Sequence, residues 1–189
     1  EFLDVHIDVQ SASWIDLDSV RIIQNGDEVA SVEFGREQRG WCRGMEQSHY
    51  RPRIRIAIPR DCWIVAIAEG DEPMTPFVMH DDRDVLPLAI ANPIYIDADG
   101  DGSYTPPRKW AENVIATGDL ESIVNTYNEV RPTEQSLLVL ASATQPDIGH
   151  KMVLLGLSSD ERIVRLAATK TAEILQDQLL LPMLAGAID

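Results

Sequence analysis

Up to about residue 107 apolar and polar positions alternate, and beyond it apolar residues recur at helical spacing. Near the start, Phe2, Asp4, His6 and Asp8 share one parity while Leu3, Val5, Ile7 and Val9 hold the other, which predicts a half-buried strand. Ser19 to Phe34 predicts a hairpin: Val20, Ile22 and Ile23 precede Asn25-Gly26, and Val29, Val32 and Phe34 follow it. Asn-Gly suits a tight hairpin turn because both residues tolerate positive φ. Arg51, Arg53 and Arg55 alternate with Ile54, Ile56 and Ile58, giving a strand with one basic and one apolar face. Cys62 to Ala68 is more continuously apolar, as in a central strand, and Leu86 to Ile96 supplies another, broken by Pro87 and Pro93. Strands at this spacing, with no helical pattern between them, predict an antiparallel, Ig-like β-sandwich of about seven strands.

After Pro106-Pro107 the period changes. Trp110 to Ala116 predicts a helix stopped by Gly118, and Asp119 is placed to cap a second running to Val130. Thr133 to Ala143 gives a third, and Pro146 opens a fourth that reaches about Leu157. Ser158 and Glu161 have capping-box spacing ahead of the strongest pattern, about 159–176. There Ile163, Val164, Leu166, Ala167, Ile174 and Leu175 fall on one broad arc, and Lys170 must snorkel or pair. Short helices joined by brief turns predict a helical bundle, and Asp160 to Ala168 resembles one helix of a HEAT-type repeat. The sequence therefore predicts an α+β chain with two domains, a β-sandwich at 1–107 and a helical domain at 108–189.

Composition narrows the function. The 44% hydrophobic and 25% charged fractions are those of a folded globular protein. No apolar run approaches the ~18 residues of a membrane span. The net charge of -15 opposes binding to phosphate backbones, which argues against nucleic acid as a partner. Residues 1–107 carry 20 acidic and nine basic residues, so most of the acidity belongs to the predicted sandwich. The chain starts Glu1-Phe2-Leu3-Asp4 without methionine, as a mature chain or an excised fragment would. Cys42 and Cys62 are the two thiols; they do not make a disulfide scaffold, and both a single bridge and two free thiols remain open.

The sharpest chemical signal is Asp97-Ala98-Asp99-Gly100-Asp101-Gly102. Carboxylates at every second position converge on a hard cation when the chain curls around it, and a carbonyl near Ser103 could add a ligand. The candidate metal ligands are thus Asp97, Asp99, Asp101 and Ser103, with Ca2+ in a structural role as the candidate ion. The closing glutamate of an EF-hand is absent, since Arg108 holds that position and Glu112 is the nearest substitute. A solvated acidic turn, or an Arg108 contact in place of a cation, are the other readings.

Elsewhere catalytic templates fail. His6-x-Asp8 lies on the polar parity of a strand, and His49, His80 and His150 are scattered, whereas a binuclear hydrolase site needs several convergent ligands. No nucleophile elbow and no phosphate-binding glycine loop occurs. The arginine stripe is expected to pair with acidic residues across strands rather than to bind anions. Trp14 and Trp41 could stack on a sugar, while Trp63 belongs to the most apolar strand and is expected in the core.

Leu88-Ala89-Ile90-Ala91-Asn92-Pro93-Ile94-Tyr95-Ile96-Asp97-Ala98-Asp99-Gly100-Asp101-Gly102, followed by Pro106-Pro107, resembles the C-terminal part of PHP-domain metallohydrolases (the polymerase-and-histidinol-phosphatase superfamily), in the carbaryl-hydrolase-like branch. Ser13-Trp14-Ile15, Val20-Arg21-Ile22-Ile23-Gln24-Asn25-Gly26, and Asp61-Cys62-Trp63-Ile64-Val65-Ala66 ahead of Gly70 add to the resemblance, which spans about residues 5–107. It implies an accessory β-sandwich whose parent carries its catalytic metals in an N-terminal PHP barrel, a metal-dependent phosphoesterase or related hydrolase. None of that barrel's His-x-His motifs is present, so no catalytic residue carries over and none is assigned. The implied partner is that barrel, in the same polypeptide, while the helical tail lies outside the resemblance and its partner is unassigned.

The expected function is therefore a non-catalytic accessory or interaction region. An independent carbohydrate- or surface-binding module is the contrasting reading, and hydrolysis by Asp97, Asp99 and Asp101 themselves is a third. The lysine-poor acidic surface and a calcium loop lean toward a secreted or periplasmic location.

Overall fold

The computed structural model describes residues 1–12, 14–34, 47–74, 79–80 and 83–175. The chain is α+β, with antiparallel sheets first and helices after them. Contacts divide it into two compact units, Glu1–Tyr104 and Thr105–Asp189.

In the first unit β1 (Phe2–His6) is followed by β2 (Val9–Ala12), β3 (Ser19–Gln24) and β4 (Asp27–Glu33). Then come β5 (Gln47–Tyr50), β6 (Arg53–Ala57), β7 (Cys62–Glu69), the short β8 (Met79–His80) and β9 (Arg83–Asp84), β10 (Leu88–Ile90) and β11 (Ile94–Ile96). A five-stranded sheet has the order β10-β7-β3-β4, with β11 also on β7; β1 pairs with β6, β2 with β5, and β8 with β9. β7, the most apolar stretch, is thus the central strand. Its even positions match those of β3, with Val20 opposite Ala68, Ile22 opposite Ala66 and Gln24 opposite Ile64. Val20, Ile22, Ile64 and Ala68 share one apolar cluster with Ile54 and Ile56 of β6, and Ala66 with Leu3 and Val5 of β1 packs against it. Period-2 alternation therefore decides which side chains of each sheet are covered.

The hairpin between β3 and β4 turns where the sequence places it. Asn25 has φ 53° and Gly26 φ 104°, the positive values a two-residue turn requires. Asn25 is buried, and its role extends past the turn: its N–H donates to the Trp63 carbonyl (3.1 Å), and its Oδ1 accepts the Trp63 N–H (3.1 Å). The hairpin tip is thereby fastened to β7. Asn25→Gly keeps the backbone free to turn but removes this acceptor, so it should cost about 1 kcal/mol in urea unfolding. An unchanged urea midpoint would show that the Trp63 N–H finds another partner.

Two arginines of the stripe pair with carboxylates, as the spacing predicts, and the third lies over an aromatic ring. Arg53 reaches Asp4 (3.2 Å), Arg51 reaches Asp8 (3.2 Å), and the Arg55 guanidinium lies 5.0 Å from the centre of the Phe2 ring. All three contacts are on the solvent side, where each is worth under about 1 kcal/mol. Trp63 departs from expectation. It is half-buried on the odd face of β7, opposite Tyr95, while Cys62 and Ile64 face the core. Cys62 is buried, and any bridge to Cys42 lies outside the described residues.

β10 and β11 both pair with β7, but their registers differ by one residue: Ile90 faces Ile67, whereas Ile94 faces Ile64. Asn92-Pro93 sits in the extra length. Proline has no N–H to give the ladder, so one apolar run becomes two short strands.

In the second unit, α1 (Pro107–Ala116), α2 (Leu120–Glu129), α3 (Pro132–Ala141), a 3-10 turn (Ser142–Thr144), α4 (Pro146–Leu157) and α5 (Arg162–Leu175) share one core. Ile115, Ile123, Leu138, Met152, Val153 and Val164 are fully covered within it. Gly156 lets α4 approach its neighbours, because a Cβ there would lie 2.8 Å from that of Ala168 and 3.4 Å from Val139 Cγ2. Buried hydroxyls are satisfied by backbone: Thr171 Oγ1 donates to the Val139 carbonyl (3.0 Å) and so does Ser142 Oγ (2.6 Å).

Three details differ from the sequence pattern. Asp119 stands at the start of α2, but its side chain makes no capping bond. The Ser158/Glu161 box does not form: Ser158 Oγ donates back to the Leu155 carbonyl, Ser159 Oγ accepts the Glu161 N–H, and α5 starts at Arg162. The broad apolar arc of α5 is only half covered. Val164, Ala167, Ala168, Thr171 and Ala172 are buried, while Ile163, Leu166 and Ile174 are exposed. Lys170 resolves its position by pairing with Glu173 (2.8 Å).

Candidate metal centre

β7 begins immediately after Asp61 and β11 ends immediately before Asp97, and the last paired residues are Cys62 and Ile96. One step further along that ladder sets Asp61 beside Asp97. Like charges directly opposite one another destabilise a sheet unless something neutralises them. Asp99, two residues into the loop, joins them: one carboxylate oxygen from each of Asp61, Asp97 and Asp99 lies within 4.8 Å of the others. Oxygens bound to one calcium at 2.3–2.6 Å can be separated by no more than about 5 Å, so this trio could hold a metal ion.

The loop is shaped by its own carboxylates. Asp97 accepts the N–H groups of Gly100 (2.7 Å, on Oδ1) and Gly102 (2.8 Å, on Oδ2). Asp99 Oδ1 accepts the Asp101 N–H (3.1 Å), and Asp101 Oδ1 accepts the Ser103 N–H (2.7 Å). Gly100 and Gly102 take φ values of 73° and 82°, which is why glycine stands at both. Nothing crowds a Cβ at either position, so the requirement is conformational rather than steric. Beneath the loop, buried Asp61 accepts the Ala98 N–H (2.8 Å), Ala98 packs on the sheet core, and Tyr104 meets Tyr95 edge-to-face at 5.0 Å.

Electrostatics records the crowding. The hydrogen bond from the Asp101 N–H draws the Asp99 carboxyl downward. Desolvation, the charges of Asp101 and Asp61, and a hydrogen bond with Asp97 outweigh it and leave Asp99 above the ordinary carboxylate value. Burial raises the Tyr104 phenol, and the neighbouring Tyr95, Cys62 and Asp61 add to it.

Of the residues proposed from the sequence, Asp97 and Asp99 belong to the trio. Asp101 and Ser103 are exposed on the loop, where Asp101 turns the chain through the Ser103 N–H. Arg108 and Glu112 pair with each other on α1 (3.2 Å). Sequence reasoning missed Asp61. Its signal, an acidic residue opening an apolar strand, gains meaning only once the pairing of β7 with β11 sets it beside Asp97. Among the described residues this trio is the one cluster of metal-ligand type, and no histidine belongs to it. His6 is exposed on β1 opposite Arg53. Trp14 is 45% exposed, and Trp41 lies outside the described residues.

No family model, curated protein or solved structure matches this chain. Among the described residues no helix is long and apolar enough to cross a membrane.

Proposed function

We propose that this chain is a non-catalytic accessory region of a PHP-type, phosphoesterase-like metal-dependent hydrolase. In this reading residues 1–107 form an Ig-like β-sandwich, and residues 108–189 form a HEAT-like helical bundle serving an interaction. One structural calcium holds the loop after β11, and the catalytic metals reside in an N-terminal barrel of the same polypeptide.

The observation that supports this best is the commitment of the trio to its own backbone. Asp61, Asp97 and Asp99 already accept four N–H groups of the loop, Asp61 from beneath and Asp97 at both of its oxygens. Side chains used in this way hold a turn. An all-carboxylate donor set without imidazole or thiolate suits a hard cation such as Ca2+. Hydrolytic two-metal chemistry needs two ions about 3.5–4 Å apart and an open position for water, and three carboxylates already tied to backbone are a poor supply for it.

A direct assay separates the readings. Incubated with an aryl phosphate and Mn2+ or Zn2+, this chain alone should give no turnover above buffer. Metal-dependent turnover that disappears in Asp99→Asn would overturn the accessory reading and make the aspartates catalytic. The exposure of Trp14 supports a second reading, a carbohydrate-binding module, for which binding on a glycan array should be lost in Trp14→Ala.

A further inference from the structure

β10 is the outermost strand at one edge of the five-stranded sheet. It bonds to β7 on one side, and among the described residues no strand pairs with it on the other. The Gly70 N–H donates to the Pro87 carbonyl (3.1 Å) and the Ala91 N–H to the Ala66 carbonyl (2.9 Å). In an antiparallel ladder every second residue bonds to the same neighbour, so Pro87, Ala89 and Ala91 face β7. The N–H and C=O groups of Leu88 and Ile90 therefore point to the open side. Natural edges are commonly blunted by charged side chains, yet no charged residue occurs from Val85 to Ile96. Leu88 and Ile90 are each 62% exposed.

Two further features adjoin this edge. Among the described residues a cavity of about 280 Å³ is lined by Ile7, Val20 and four alanines, Ala66, Ala68, Ala89 and Ala91. Ala89 stands opposite Ala68, a member of the sheet core, so both methyl groups lie on the core face. Alanine at all four positions leaves volume that larger side chains would otherwise take. The second feature is charge. The Met74 N–H donates to the Val85 carbonyl (2.9 Å), so the exposed Asp71 and Glu72 lie alongside 85–87. The Asp18 carboxylate accepts the Asp71 N–H (2.6 Å), and exposed Asp84 adds to the same acidic end of the edge.

We propose that this edge receives an extended, basic peptide segment of a partner protein. One large apolar side chain of the segment enters the alanine-lined cavity, and a Lys or Arg lies beside Asp71 and Glu72. Strand addition supplies main-chain bonds to the outward groups of Leu88 and Ile90, while alternate side chains of the added strand reach the core face. So short an edge offers few such bonds, and the cavity adds the apolar contact that selects the partner. A second copy of the chain fits less well. Opposed residues of a ladder share a face, so a second β10 would bring only Pro87, Ala89 or Ala91 to the cavity. Two molecules of net charge -15 also repel each other, whereas a basic segment is attracted.

The test uses the full chain and a fluorescent peptide in which leucine alternates with threonine and lysines close one end. Titration followed by anisotropy should saturate, and bound peptide should slow amide exchange at Leu88 and Ile90. Ile90→Pro removes an outward N–H without breaking a bond to β7. Its thermal midpoint should match the parent's while affinity falls about tenfold, and Ile90→Val should bind as the parent does. Ala89→Leu occupies the cavity from within the chain and should weaken binding by a similar factor. On the unaltered chain, alanine in place of the peptide's leucines should abolish binding, as should N-methylation of its threonines, whose N–H groups would face β10. The proposal is overturned if the peptide fails to bind at millimolar concentration, or if Ile90→Pro or Ala89→Leu binds it as tightly as the parent. It is also overturned if the chain sediments as a dimer that Ile90→Pro dissolves, since a second copy would then occupy the edge.

Discussion

In millimolar calcium the unit built from residues 1–104 should melt well above its midpoint in chelator, and Asp99→Asn should melt at one temperature in both. The expectation rests on mass action: an ion that binds the folded trio and not the unfolded chain stabilises by about 2.7 kcal/mol at one hundred times its dissociation constant. For a unit of this size that corresponds to roughly 10 °C or more. Asp99→Asn keeps an oxygen to accept the Asp101 N–H but removes the charge, so in chelator it should be at least as stable as the parent. Asp97→Ala is different in kind. It removes a ligand and the acceptor of two loop N–H groups, so it should be less stable than the parent even in chelator.

The pH dependence follows with its sign. Without an ion, Asp99 in the folded chain holds its proton more tightly than in the unfolded chain. Folding then binds a proton between the ordinary carboxylate value and the raised one, so stability is greatest below that interval and falls as pH rises through it. Calcium, which needs the ionised form, should abolish that decline at higher pH and lose its effect in acid. A calcium-independent melting curve at pH 7 would end the metal reading, and with it the role assigned to this loop.

Leu138→Ala should cost about 2–5 kcal/mol, the range for deleting most of a fully buried leucine. Leu138 is 0% exposed on α3, the helix that packs against α1, α4 and α5 together, so no single neighbour can close the space it leaves. For a unit of about 85 residues that is a large part of the total stability. The loss should appear in the helical transition alone, since contacts gather into two units. Far-UV circular dichroism during heating, with and without calcium, reads both effects at once. The ion should move the β transition and Leu138→Ala the helical one. A single transition that both changes move together would show that the chain unfolds as one body.

Much of this chain is legible from its sequence because local rules and tertiary structure agree. The parity of Leu3, Val5 and Ile7, the Asn25-Gly26 turn, the central strand from Cys62 and the proline-opened helices are all set by interactions spanning a few residues. The arginine stripe is similar, since its spacing fixes one face and the surplus of carboxylates provides partners. Local reasoning weakens where a side chain has two competing uses. Ser158 has the spacing of a helix start but closes α4, and its Oγ bonds back to the Leu155 carbonyl (2.8 Å). The arc on α5 is broad in sequence, yet α3 and α4 cover only part of it, and how much a helix buries depends on its neighbours.

The acidic loop divides in the same way. Its curl is written in the chain, since glycines at 100 and 102 and aspartates accepting N–H groups two to five residues ahead suffice to bend it. Its third carboxylate is not. Asp61 is 36 residues upstream of Asp97, and only the register of β11 on β7 brings them together. Sequence by itself thus determined the order of the main strands and helices and the bend of the loop, because side-chain periodicity, turn residues and prolines act within a few residues. Tertiary structure alone decided that Asp61 joins the loop and that, among the described residues, half of α5's apolar arc is exposed. Both depend on pairing between distant segments, for which neighbouring residues carry no signal.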